Sequence, residues 1–181
     1  MMYFPLDIDT AEGFLIFSMR ISEDPKLLLN GLRRQFPKLV LQFLNPSSIL
    51  GADHLAWSVR QNWFAAKRGI LAAQRQEVDL LMRVASTNQI SEAFDVAGVS
   101  DNQLDIVVTA IGLNNILKRF MSQIRKNFQI APNISVGDQK SILERTSLPR
   151  EILRKNKEIL PLLLLEISAV RLANKPSSMK E

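Results

Sequence analysis

From Leu44 to Asp101 the chain reads LNPSSILGADHLAWSVRQNWFAAKRGILAAQRQEVDLLMRVASTNQISEAFDVAGVSD. Phe43-Leu44-Asn45-Pro46 closes an apolar strand, and three helical segments follow with little chain between them. In Ala52–Arg68, Leu55, Val59, Trp63 and Ala66 recur at spacings of four, four and three, the period of one buried helix face. Gly69 suits the turn that ends this helix, because a left-handed residue there carries no Cβ penalty. Arg75–Ala85 repeats the pattern with Val78, Leu81, Met82 and Ala85, leaving Gln76, Asp79 and Arg83 toward water. Ile90, Ala93, Phe94 and Ala97 form the inner face of a third helix, with Asn88 as its N-cap and Gly98 beyond its end.

Upstream, Phe14-Leu15-Ile16-Phe17 is short and apolar enough for a buried strand. Asp24 and Pro25 start a helix: the carboxylate accepts from free amides, and the proline's missing N–H costs nothing at the first helical position. Leu28, Leu29, Leu32 and Phe36 are its stripe and Pro37 stops it. Leu39–Leu44 is nearly continuously hydrophobic, as an interior strand covered on both faces is. Downstream, Leu104–Ile111 is a second candidate for a central strand. Gly112 then leads into a helix that turns Leu113, Ile116, Leu117, Phe120 and Ile124 inward. Residues 129–136 read as loop, and short helices are expected at 138–145 and 149–155. A last helix, from Pro161 to about Leu172, is apolar nearly all round, so it is buried on two sides or meets a partner. The β-α-β order predicts a single α/β (α+β) domain over residues 1–173, with helices packed on a small mixed sheet. The C-terminal helix is expected at a partner surface, and 174–181 reads as a disordered tail.

The composition, 46% hydrophobic and 23% charged over 181 residues, is that of a folded domain. The absence of cysteine excludes disulfides and thiolate metal sites and suits a reducing compartment, the cytoplasm or a eukaryotic nucleus. With His54 the only histidine, a His-rich metal site or a Ser-His-Asp triad is nearly excluded, and an all-carboxylate site is what is left. Asp7 and Asp9 are a close carboxylate pair of the kind that is usually just solvated. His54 fits a capping or packing role. No Gly-rich phosphate loop or G-x-S-x-G elbow is present. No enzyme activity, cofactor or metal is therefore expected. The longest apolar run, Ile159–Leu165, is far short of the roughly 20 residues that span a bilayer, and the first residues lack the basic n-region of a signal peptide.

The net charge of +5 is unevenly spread. Residues 54–76 carry Arg60, Lys67, Arg68 and Arg75 and no carboxylate; residues 113–128 carry Lys118, Arg119, Arg125 and Lys126, again with none. The surplus thus sits in two segments, which suits either a polyanion footprint or two solvated helix faces. Trp57, Arg60, Gln61, Phe64 and Arg68 line the side of the first helix opposite its apolar stripe. Packing of the next helices over the two rings is the ordinary account; a surface where bases stack beside phosphate-binding cations is the functional one.

Asp53-His54-Leu55, Lys67-Arg68-Gly69, Glu77-x-x-Leu80-Leu81, Gln89-Ile90-Ser91-Glu92-Ala93-Phe94 and Gly98-Val99 follow one another in an order and spacing that resembles a known family. It is the family of kinase-binding subunits of the KEOPS complex, whose animal member is PRPK-binding protein; the chain looks like an archaeal-type member. A looser resemblance covers most of the remaining chain, with no counterpart for residues 126–136 or for the tail after Lys175. It implies a non-enzymatic subunit that binds the small atypical kinase/ATPase of KEOPS and supports threonylcarbamoylation of the tRNA adenosine beside the anticodon. Archaeal members also grip the single-stranded 3′ CCA end of tRNA. On that reading Arg60, Lys67, Arg68 and Arg75 meet phosphates, and Asn88 and Gln89 read a base edge. Leu163, Leu164, Ile167 and Val170 of the last helix meet the kinase. The competing readings are a basic RNA-binding domain unrelated to KEOPS and a small carboxylate enzyme.

Overall fold

In the computed structural model, residues 2–6, 11–138 and 141–142 are described. Two nine-residue strands, β2 (Glu12–Arg20) and β4 (Asp105–Leu113), pair antiparallel from Glu12↔Leu113 to Arg20↔Asp105. β3 (Val40–Leu44) joins the other edge of β4. Along the outer edge of β2, β1 (Met2–Pro5) and β5 (Gln129–Ile130) sit one after the other. The sheet order is β1-β2-β4-β3, with β5 also on β2. The α/β class is as expected, but every pairing among the described strands is antiparallel rather than mixed.

Successive residues on a strand point to opposite faces, and both faces of this sheet are covered. Phe14, Ile16, Leu44, Val107 and Ile111 pack under α2 (Ala52–Lys67), α3 (Gln76–Ala85) and α4 (Ile90–Ala97). Leu15, Phe17, Leu41, Phe43, Ile106 and Val108 pack under α1 (Pro25–Gln35) and α5 (Asn114–Asn127). The interior-strand expectation for residues 39–44 is right about burial and wrong about position. β3 is buried on both faces yet lies at the sheet edge. Its edge is guarded by Arg33, whose Nε and Nη2 donate to the Leu41 carbonyl at 3.1 and 2.8 Å, and whose Nη2 also reaches Gln42 Oε1 at 2.7 Å. Such a guard blunts an edge against further pairing.

Most local signals correspond to what forms. Asp24 caps α1 by accepting from the Leu27 amide at 2.8 Å, with Pro25 at the first position. Gly69 adopts φ +67° after α2. The Ile70 amide bonds back to the Ala65 carbonyl and the Gly69 amide to Ala66, the paired bonds of a Schellman cap.

Several expectations fail, each for a tertiary reason. Asp79 and Arg83 are buried, not turned to water, because the α2–α3 connection folds over them. Trp57 and Phe64 are 43% and 49% exposed; none of the described helices folds over them. α4 turns only Ala93 and Ala97 fully inward, where their small side chains let it approach α3, so Ile90 and Phe94 stay largely exposed. Asn88 is not the N-cap. Gln89 holds that position, and its amide donates to Thr87 Oγ1. Gly112 belongs to β4, and Leu113 ends that strand exposed. The expected loop at 129–136 opens with β5, and the Ala131 amide continues the pairing onto the Ser18 carbonyl. Most of the expected helix at 138–145, the helices at 149–155 and 161–172, the tail, and Asp7 and Asp9 lie outside the described residues.

Candidate functional site

The α2 face that carries two of the predicted cations is organised by cation–π contacts. The Arg60 guanidinium lies 5.4 Å from the Trp57 ring centre, and that of Arg68 lies 5.9 Å from Phe64. Neither arginine takes part in an ion pair among the described residues. Lys67 differs: its Nζ is 2.9 Å from Glu12 Oε2, and that carboxylate also accepts from Trp63 Nε1 at 2.8 Å. Arg75 is 3.5 Å from Glu77. Two of the four cations are therefore partly neutralised by carboxylates from outside the acid-free run.

A buried carboxylate anchors the connection between α2 and α3. Asp79 accepts from Asn62 Nδ2 (2.8 Å), the Ala72 amide (2.7 Å) and the Arg83 guanidinium (2.6 and 3.2 Å). A buried charge costs several kcal/mol unless paired and hydrogen-bonded, and here Arg83 and two neutral donors meet that demand. The loop carrying Arg68 and Arg75 at its ends is thereby pinned at its middle. Asn62 and Gln76 add a second tie, with Gln76 Nε2 donating to Asn62 Oδ1 at 3.0 Å.

Arg75 reaches a cleft of about 210 Å³ at the outer edge of β3. Lys26, Asn30 and Arg33 of α1 come to it from one face of the sheet; Arg75, Glu77 and Phe94 come from the other. Arg33 is half-buried here. Burial lowers its affinity for the proton, Glu77 opposes that effect, and Arg75 adds to it. Lys26 is held by Asp101, whose hydrogen bond and charge raise its pKa. The cleft thus holds three cations, the Glu77 carboxylate that pairs with Arg75, one exposed ring and the buried amide of Gln42. Lys26 and Arg33 do not stand out in the sequence. The one signal available is that Arg33 follows Leu29 by four residues and so flanks the buried stripe of α1.

The predicted residues are not all brought together. Arg75 lines the cleft, whereas Arg60, Lys67, Arg68, Asn88 and Gln89 do not. Gln89 is exposed and Asn88 half-buried at the start of α4. The second basic segment lies on α5, across the sheet from α2–α4, so the two positive segments are not one footprint. Leu163, Leu164, Ile167 and Val170 lie outside the described residues. His54 is fully buried and its Nδ1 accepts from the Leu50 amide at 3.3 Å, a packing and capping role.

A family model described as "Kinase binding protein CGI-121" matches residues 23–153, well over half of the chain. No curated protein matches it.

Proposed function

Since the chain belongs to the CGI-121 family of kinase-binding proteins, we propose that it is a non-catalytic accessory subunit of the KEOPS complex, of archaeal type. It binds the small atypical kinase/ATPase of that complex and the single-stranded 3′ CCA end of tRNA. It thereby supports threonylcarbamoylation of the adenosine next to the anticodon, in the cytoplasm or, in a eukaryote, also the nucleus. Family membership supports the kinase partner. The observation that carries the RNA partner is the convergence of Lys26, Arg33 and Arg75 on a cleft beside the exposed Phe94 ring. Single-stranded RNA requires just these parts, cations along the backbone and a ring for an unstacked base.

Arg60, Lys67, Arg68 and Arg75 contact phosphates, with Lys67 exchanging Glu12 for the RNA. Asn88 and Gln89 read a base edge from the start of the helix that carries Phe94. Binding should fall sharply for a tRNA trimmed of its CCA end, and the penalty of Gln89→Ala should vanish on that trimmed RNA. Equal affinity for trimmed and intact tRNA rules out tail recognition. The kinase contact is assigned to Leu163, Leu164, Ile167 and Val170. A glutamate at an exposed one of these weakens kinase binding by about 2 kcal/mol or more at an unchanged melting temperature. If all four substitutions unfold the domain, the segment is core and the assignment fails.

A further inference from the structure

The RNA reading leaves the second basic segment without a role, because its cleft lies at the outer edge of β3 and takes no residue from α5, which packs on β2 and β4. Beside α5 runs a groove of about 670 Å³, walled by Tyr3 of β1. Leu15, Leu117 and Met121 form its apolar floor, and Lys118, Arg125 and Lys126 are among its polar lining residues. Among the described residues no carboxylate lines it, and residues 114–127 contain none. Among the described residues Lys118 and Lys126 take part in no ion pair. The wall is built in advance. Tyr3 donates its hydroxyl hydrogen bond to Asn114 Oδ1 at 2.7 Å, and its ring lies so close over Gly13 that a Cβ there would come within 2.7 Å of it.

The geometry points to a docking groove for an acidic amphipathic helix of a partner protein. Along α5, Asn114 to Lys126 spans about 18 Å at roughly 1.5 Å per residue, three turns of a docked helix. Apolar side chains spaced one turn apart pack on the half-exposed Tyr3 ring and the methylene stems of Lys118 and Lys126, above the buried Leu15, Leu117 and Met121. Carboxylates on the flank of that helix reach Lys118 and Lys126. A nucleic acid fits less well: the floor is aliphatic and offers no ring to a base, and one face of Tyr3 is already taken by Gly13. This inference is independent of the kinase and tRNA readings.

Tyr3 is the chain's only tyrosine, so ring-labelled tyrosine in the full chain gives one set of signals that reports on the groove. The probes are a synthetic helical peptide of about 14 residues, roughly four turns, with leucine on one face and glutamate elsewhere, its lysine counterpart, and an oligouridylate. The glutamate peptide should shift the Tyr3 signals saturably; the lysine peptide should not. Lys118→Glu with Lys126→Glu should weaken binding tenfold or more at an unchanged melting temperature. Ser122→Trp, an exposed position on the groove, should block it without touching charge. Unmoved Tyr3 signals, or variants that bind the glutamate peptide as the wild type does, overturn the proposal. So does an oligouridylate that shifts Tyr3 with the same dependence on the two lysines, which would make the groove a nucleic-acid face.

Discussion

His54 couples the stability of the fold to pH through one titrating imidazole. Burial pushes its pKa down from 6.5 to about 4, and Nε2 is buried without a hydrogen-bond partner among the described residues. The folded chain therefore resists a proton that the unfolded chain accepts. This contribution is complete above about pH 6.5, falls as the pH drops through the window from 6.5 to 4, and changes no further below it. Linkage puts the loss at about 1.4 kcal/mol by pH 5.5. Urea unfolding at pH 7.5 and 5.5 should show that difference in the wild type and not in His54→Gln; an equal difference in both would assign the slope to carboxylates. Asp79 is the second residue on which much depends. Asp79→Ala strands the buried Arg83 and frees the Ala72 amide, and should cost about 3–5 kcal/mol by thermal or urea unfolding. Asp79→Leu with Arg83→Met should cost clearly less than the single change, because no buried charge is left alone. If the double change costs as much, packing and not charge explains the penalty.

Two glycines show what an element asks of one position. Gly31 lies within α1, and a Cβ built there meets nothing within 4 Å. Gly31→Ala should stabilise the protein by roughly 0.5–1 kcal/mol, since glycine costs that much in a helix interior. Gly69 has equal space but φ +67°, so Gly69→Ala should destabilise by about 1 kcal/mol. Melting temperatures that move the same way for both would contradict the conformational argument. The same contrast explains what was legible in the sequence. Helices α1 to α5 declare themselves by period, caps and glycines, all of them local. β1 and β5, with four and two residues, are too short to show a period. The burial of Asp79 depends on donors 7 and 17 residues away, so a helix pattern assigns it to water. The exposure of Trp57 and Phe64 depends on where the following helices go, which no pattern within α2 contains. Of the candidate site, Arg75 was visible as part of a charge run; Lys26 and Arg33 reach it only through the topology that sets α1 beside β3.

The sheet as a whole sorts the charge. With the RNA cleft at the outer edge of β3, flanked by α1, and with α5 packed on β2 and β4, a strand of RNA in the cleft and on α2–α3 cannot touch the outer cations of α5 without passing over α1. A sequence-level count of eight clustered cations would predict that all of them steepen the salt dependence of tRNA binding; the fold predicts that only one group does. Changing Arg60, Arg68 and Arg75 to glutamine should reduce the slope of log K against log salt by about two to three units, near 0.7–0.9 for each phosphate that is no longer neutralised. Lys118→Gln with Arg119→Gln should leave the slope where it was. Glu12 gives a control of opposite sign, because it occupies Lys67 in the free protein. Glu12→Gln keeps an acceptor for Trp63 while releasing that lysine, so tRNA affinity should rise. Fluorescence anisotropy of labelled tRNA between 50 and 200 mM salt, a range over which several phosphate contacts change affinity by orders of magnitude, reads all three. A slope that falls equally for the α2–α3 and α5 variants would mean that the RNA runs on over α1 to α5 and that the two basic segments act as one surface.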